Sequence, residues 1–292
     1  MNGRVKGYEF QFRTRAGLAT AFASKERSVL VMGKIYIVGS QKGGVGKTTT
    51  VFNLAYFLQK MNKKVLAVDF DVQASLTACF GIEDIGSLEN TIGHLIMAEI
   101  EDIELPTPEE YIRTKDGVDF IPSSPFLSVA DAKLRIEMGS EKMLSGILEP
   151  LRDKYDYILI DTGPSLAGTL NINALVAADK VVIVSDPQFL AMMGVQDFLK
   201  TIAKTKRRLN PKLEIAGILF TMVTRTNLSK VLTDQTAESL QGQVRIFDTR
   251  IPNTVKVGES IYYGQSVGQY SPKTSAAIAY EEFTKELVSY EE

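Results

Sequence analysis

Ser40-Gln41-Lys42-Gly43-Gly44-Val45-Gly46-Lys47-Thr48-Thr49 lies between two segments of different periodicity. Before it, Ile35-Tyr36-Ile37-Val38 is a short apolar run of the kind buried in a parallel sheet. After it, Thr50-Val51-Phe52-Asn53-Leu54-Ala55-Tyr56-Phe57-Leu58 has helical spacing. Strand, glycine-rich turn and helix form the context that a phosphate-binding loop requires. Gly43, Gly44 and Gly46 have no Cβ, so the backbone is free to curl and aim its N–H groups at an anion. The helix N-terminus adds partial positive charge. In such a loop Lys47 pairs with the β- and γ-phosphates and the Thr48 hydroxyl holds Mg²⁺. The pattern departs from G-x-x-x-x-G-K-[ST]. Gln41 stands where the first glycine belongs, and a second lysine, Lys42, precedes Gly43.

Outward from the loop, strand-like runs recur at 35–39, 65–70, 118–122, 156–161, 180–185 and 214–221. Helical patterns separate them at 47–61, 126–137, 140–153, 169–177, 189–209, 228–241 and 274–289. This alternation predicts an α/β, single-domain P-loop NTPase: a mostly parallel, twisted sheet with helices on both faces and ligands at the carboxyl ends of the strands. The region 82–117, acidic and carrying Pro106 and Pro108, reads as an irregular surface excursion.

Two further strands end in acids. Val65-Leu66-Ala67-Val68 runs into Asp69-Phe70-Asp71, and alternation puts both carboxylates on one side. One is placed to organise Mg²⁺, the other to position an attacking water. Tyr157-Ile158-Leu159-Ile160 ends in Asp161, the form of a Walker-B strand, with the carboxylate near Mg²⁺. Thr162-Gly163-Pro164 then makes a sharp turn suited to sensing a γ-phosphate.

Composition bounds the chemistry. The chain has 292 residues, 45% hydrophobic and 23% charged, with a net charge of −2. That balance offers no global attraction for nucleic acid, so any such contact must come from a local patch. One cysteine, Cys79, and one histidine, His94, leave no internal disulfide, no thiolate cluster and little support for Ser-His-Asp chemistry. Cys79 reads as a small core residue. Without an apolar run of about 18 residues or a signal-peptide core, a reducing cytoplasm is expected.

Residues 1–31 carry six cations against Glu9 and Glu26. They read as a basic N-terminal extension: either a disordered or misassigned leader ahead of Met32, or an arm that touches DNA. The catalytic domain is expected over 32–292.

Lys42-Gly43-Gly44-Val45-Gly46-Lys47-Thr48-Thr49, Asp69-Phe70-Asp71-Val72-Gln73 and Asp161-Thr162-Gly163-Pro164-Ser165-Leu166 resemble the deviant-Walker ATPases of the ParA/MinD/Soj group, over about residues 32–290. Gln41 matches the ParA/Soj branch, where the MinD, Mrp and nitrogenase iron-protein branches usually have glycine. Val72, Ala74 and Ser75 replace the family's usual Pro, Gly and Asn. The resemblance implies an Mg²⁺-dependent ATPase with catalytic residues Lys42, Lys47, Asp71 and Asp161. It implies ATP held by Lys42, Gly43, Gly44, Val45, Gly46, Lys47, Thr48 and Thr49, with Thr221, Met222 and Pro252 near the adenine. Thr48, Asp69 and Asp161 would surround the metal. Lys42 would be the signature lysine that reaches the partner's phosphates in an ATP-dependent homodimer. By the same resemblance the ATP state binds DNA nonspecifically, and a centromere-bound ParB-type adaptor stimulates hydrolysis, placing the protein on the nucleoid. The cargo would be a plasmid, a mobile element or a chromosome.

Arg225, Lys230, Arg250, Lys256 and Lys273 are the candidate DNA contacts, with Lys204, Lys206, Arg207, Arg208 and Arg245 as further basic positions. The family's basic positions at Asn253 and Ser275 are uncharged here. Two alternatives stay open. A MinD-like, membrane-associated positioning ATPase needs a basic amphipathic C-terminal helix, whereas residues 281–292 are rich in glutamate with Lys285 as their one cation, so no membrane partner is expected. A P-loop metabolic enzyme or kinase on the same scaffold is the other. Tyr262, Tyr263, Tyr270, Tyr280 and Tyr290, dispersed rather than clustered, read as packing residues.

Overall fold

The computed structural model describes residues 32–164, 168–240 and 242–290; the extension expected at 1–31 lies outside them. Eight strands run along the described residues: β1 (Lys34–Gly39), β2 (Val65–Phe70), β3 (Arg113–Lys115), β4 (Val118–Ile121), β5 (Tyr157–Thr162), β6 (Lys180–Ser185), β7 (Glu214–Val223) and β8 (Ile246–Pro252). The helices are α1 (Lys47–Lys60), α2 (Ser75–Cys79), α3 (Ile92–Ile100), α4 (Pro108–Tyr111), α5 (Leu127–Leu134) and α6 (Met143–Leu148). They continue with α7 (Thr169–Ala177), α8 (Phe189–Arg208), α9 (Asn227–Ser239), α10 (Val255–Tyr262), α11 (Val267–Tyr270) and α12 (Ser275–Ser289).

The strands form one sheet in the order β3-β4-β2-β5-β1-β6-β7-β8. Every pairing is parallel except β3 with β4. Alternation along β1 shows how the two faces fill. Ile35 and Ile37 join a core with residues of α3, α5, α6, α7 and α8. Tyr36 and Val38 join a second core with residues of α1, α2, α11 and α12. Both faces are covered, so the inner strands are apolar along their whole length, as a parallel sheet demands. β1 lies between β5 and β6, and its carboxyl end carries the glycine-rich loop into the middle of the sheet.

The region 82–117 is not a surface excursion. It contains α3, whose Ile92, Leu95 and Ile96 are fully buried. It also contains β3, joined to β4 by Asp116-Gly117. Both turn residues have positive φ (52° and 78°), the combination that a two-residue type I′ hairpin requires. Proline and acid density obscured a short helix with an apolar stripe. The helical pattern over 140–153 is interrupted: 3-10 turns at 140–142 and 149–151 flank α6, and Pro150 lacks the N–H that a continuous helix would use. β8 is a strand in a stretch whose alternation is masked by Asp248 and Arg250, because an edge strand need not be apolar on its open side. Cys79 is buried and free, as expected.

Candidate functional site

The residues singled out in the sequence converge on one end of the sheet. The loop follows β1, Asp69 and Asp71 close β2, Asp161 lies in β5, Thr221 and Met222 lie in β7, and Pro252 ends β8. This is the carboxyl edge, where α/β sheets bind ligands.

Gly44 and Gly46 take left-handed backbone conformations, with φ of 74° and 85°, where a Cβ would be strained. Gly46 is the N-cap of α1 and supplies no side-chain cap. The first N–H groups of the helix are therefore left for an anion. Lys47 is buried, and its ammonium donates to the Lys42 carbonyl at 3.3 Å. Burial lowers its pKa, while Asp161 and Asp71 act against that fall. The Thr221 hydroxyl donates to the Val45 carbonyl at 2.6 Å, tying β7 to the loop. A cavity of about 710 Å³ opens above, lined by the loop residues Gly43, Gly44 and Gly46 to Thr49 and by Asp71, Thr162 and Pro164 among others. A second, of about 430 Å³, adjoins it and is lined by Thr221, Met222, Pro252, Asn253, Thr254 and Tyr280 among others. Together they offer a polar end for phosphates and a less polar end for a base.

The acids divide into three environments. Asp69 and Asp161 are opposite each other in the paired strands β2 and β5. Asp69 is saturated: its Oδ2 accepts from the Thr77 amide and the Thr77 hydroxyl, each at 2.7 Å, and its Oδ1 accepts from the Asp71 amide at 3.3 Å. Burial pushes its pKa up to about 6 against those hydrogen bonds. Asp161 is 0% exposed, and among the described residues neither carboxylate oxygen has a hydrogen-bond partner. Burial first, then the neighbouring Asp69, raise its pKa well above the carboxylate range, with the Thr48 hydroxyl and Lys47 ammonium opposing. A bare, buried carboxylate is costly unless something cationic satisfies it. Beside Lys47 and Thr48, this orphaned pair of oxygens fits Mg²⁺ held through one or two protein oxygens and the phosphates of a nucleotide.

Asp71 is half-buried and borders the phosphate cavity. A Cβ on Gly163 would come within 3.1 Å of its Oδ1. The absence of a side chain there lets Asp71 approach the Thr162-Gly163-Pro164 turn. Ser123 links the two acid positions: its hydroxyl donates to the Asp71 carbonyl and its amide donates to the Thr77 hydroxyl, each at 2.8 Å. Thr77 and Ser123 carry no motif, and only their meeting at Asp69 and Asp71 reveals their part. Ala74 takes φ 50° at the start of α2, a left-handed conformation natural to the glycine it replaces in the family pattern.

The second loop lysine is elsewhere. The Lys42 ammonium donates to Asp186 Oδ2 and to Gln188 Oε1, each at 2.7 Å. It turns back onto its own chain just beyond β6.

The basic residues are scattered over the surface. Arg225, Lys230 and Lys273 are exposed and form no ion pair among the described residues. Lys256 is paired with Glu259 at 2.7 Å, and Arg250 lies 3.7 Å from Asp234. The packing expectation for the tyrosines holds for Tyr280, which is buried. It fails for Tyr262 and Tyr290, which are exposed, and for Tyr263, which stacks on Tyr270 at the surface. Tyr262 and Tyr263 close α10 at the surface, and both rings face water. α12 buries Tyr280, Phe283 and Leu287, and so spends its apolar face on the core. Among the described residues, no helix is long and apolar enough to cross a membrane.

A family model described as an AAA domain matches residues 33–215. The chain is 35% identical over 259 residues to the sporulation initiation inhibitor protein Soj of Bacillus subtilis, covering 88% of this chain and 99% of that protein. It belongs to the ParA/MinD superfamily of P-loop ATPases. Another member, the chromosome-partitioning ATPase Soj of Treponema pallidum, is 36% identical over 261 residues, covering 88% and 98% of the two chains. A solved structure of Mycobacterium smegmatis cobyrinic acid a,c-diamide synthase, with a bound ATP analogue and magnesium, superposes with a TM-score of 0.74 at 30% identity. It covers 88% of this chain and 95% of that one. Membership in this superfamily accords with the loop, the paired acids and the strand order derived above.

Proposed function

We propose that this protein is a partition ATPase of the ParA/Soj type, with its catalytic domain over residues 32–292 and a basic extension at 1–31. The observation that carries the reading is the loop with two lysines, one buried under its own phosphate cavity and one turned away from it onto Asp186, set beside the orphaned carboxylate of Asp161. Mg²⁺, when bound, neutralises phosphate charge, and Thr48 and Asp161 hold it. Asp69, its oxygens taken by Thr77 and the Asp71 amide, stands opposite Asp161 in the paired strand. Lys47 binds the phosphates of its own nucleotide, and the backbone from Gly43 to Thr49 cradles them. Asp71, at the mouth beside Gly163, orients the attacking water. Thr221, Met222 and Pro252 receive the base. Phosphoryl transfer needs positioning and charge stabilisation more than covalent help.

In this reading the ATP state is a homodimer in which Lys42 reaches the second copy's nucleotide. The dimer binds DNA without reading its sequence, through Arg225, Lys230 and Lys273, with Arg250 and Lys256 as weaker contributors. A ParB-like adaptor stimulates hydrolysis and releases it. The relatives named for chromosome partitioning support this output, and the buried apolar face of α12 disfavours the membrane alternative. The test is retention on DNA with ATP, and with ADP, across a salt series. ATP-specific retention that weakens with salt is expected; equal retention in the two nucleotides would sink the reading. The similarity to a diamide synthase keeps a metabolic alternative specific enough to check. Quantitative release of phosphate to water, without transfer to an acceptor, is the expected product balance.

A further inference from the structure

The Asp186 carboxylate closes β6 at the carboxyl edge of the sheet and is 6% exposed. Its Oδ2 accepts from the Lys42 ammonium at 2.7 Å, and its Oδ1 has no partner among the described residues. Gln188, the N-cap of α8, offers no side-chain cap to its helix. Its Oε1 accepts from the same ammonium at 2.7 Å. Lys42 is thus gripped by two acceptors from the β6–α8 connection, while its carbonyl accepts from Lys47. A lysine at an exposed loop, free to choose water, is instead held in one place by a buried charge.

We propose that Asp186, assisted by Gln188, is a positioning residue that parks Lys42 on its own chain and so sets how much ATP-loaded protein is needed before two copies pair. The inference rests on the proposed role of Lys42 in the second copy's site. For that role the ammonium must leave Asp186. Its departure strips a buried carboxylate of its one charged partner among the described residues, and burial makes that separation costly. Chains with Lys42 released are then the minor population, and apparent pairing is weakened by the same fraction. Asp186 touches the loop through Lys42 and does not line the phosphate or base cavities. Its effect should therefore fall on pairing and not on nucleotide binding by one chain.

Asp186→Asn keeps the shape and an acceptor but removes the charge. Pairing is measured by sedimentation with a non-hydrolysable ATP analogue and Mg²⁺, and single-chain binding is measured with a fluorescent ADP. The expected result is a dimer dissociation constant at least about tenfold lower than that of the unaltered chain, with ADP affinity unchanged. Asp186→Glu should restore the parked state and the original constant. Gln188→Ala, at an exposed position, should shift pairing in the same direction by a few-fold, and it provides the test if Asp186→Asn fails to fold. Unchanged or weakened pairing in Asp186→Asn, or in Gln188→Ala should the former not fold, overturns the parking role. Lys42→Ala separates the two levels. If it pairs as well as the unaltered chain, the reading of Lys42 itself fails; if it no longer pairs while Asp186→Asn pairs at the ordinary concentration, only the parking role fails.

Discussion

The strand ends of β2 and β5 and the basic surface around α9 and α10 treat charge in opposite ways. At the strand ends, Asp69 and Asp161 are side by side and fully buried, and among the described residues Asp161 has no partner for either oxygen. Around α9 and α10 the charges are near water, and two of the five candidate DNA contacts lie against acids of their own chain. An ion pair in water is worth little, about 0–1 kcal/mol, and salt screens it further. A carboxylate in the interior without a counter-ion is costly by several kcal/mol as an order of magnitude. The difference teaches where specificity resides. The interior site is poised for a cation and a polyphosphate, whereas the surface has only a loose electrostatic preference that neighbours adjust.

Five substitutions would break or sharpen that contrast. Lys47→Ala removes the buried cation of the loop and should have the largest effect. Charged hydrogen bonds are worth about 1.5–3 kcal/mol each, so ATP affinity should fall roughly 100-fold or more by calorimetry, with hydrolysis lost. Asp71→Ala should leave ATP affinity nearly intact and lower phosphate release by about 10²–10⁴, the range attributed to a positioned acid–base group. Normal hydrolysis in that variant would reassign the water-orienting carboxylate. Asp161→Asn tests the interior cost directly. The amide needs no counter-ion, so the nucleotide-free protein should gain about 1–2 kcal/mol, seen as a melting temperature higher by a few degrees. The further stabilisation given by Mg²⁺ and ATP together should disappear. A melting temperature that falls instead would mean that Asp161 is already satisfied.

The surface should respond least. Arg225→Ala should reduce the slope of log affinity for DNA against log salt by about one. Arg250→Ala should change it by less, because Asp234 lies beside that guanidinium. Equal slopes for the two variants would show that the intramolecular pair is open in solution.

The loop and both acid strands were legible because their signals are local. A buried parallel strand must be an apolar run, and a phosphate turn must have glycine where φ is positive, as at Gly44 and Gly46. The segment 82–117 was misread because its buried residues, Ile92, Leu95 and Ile96, are few and set among acids and prolines. The Asp116-Gly117 turn inside it was a usable signal for a hairpin. β8 was missed because its charged side chains hide the alternation of an edge strand. Tyr262 and Tyr263 needed the structure, since a ring at the rim and a ring in the core have the same sequence signature.

By itself the sequence determined the α/β class, the phosphate loop and the acids at the ends of β2 and β5, because backbone conformation and strand burial are set within a few residues. Tertiary structure alone decided that Asp69 is consumed by Thr77 while Asp161 is left bare, and that Lys42 rests on Asp186, 144 positions away. Those outcomes depend on which side chains meet across neighbouring strands. Partners and solvent access, unlike helix or strand periodicity, are properties of the packed sheet.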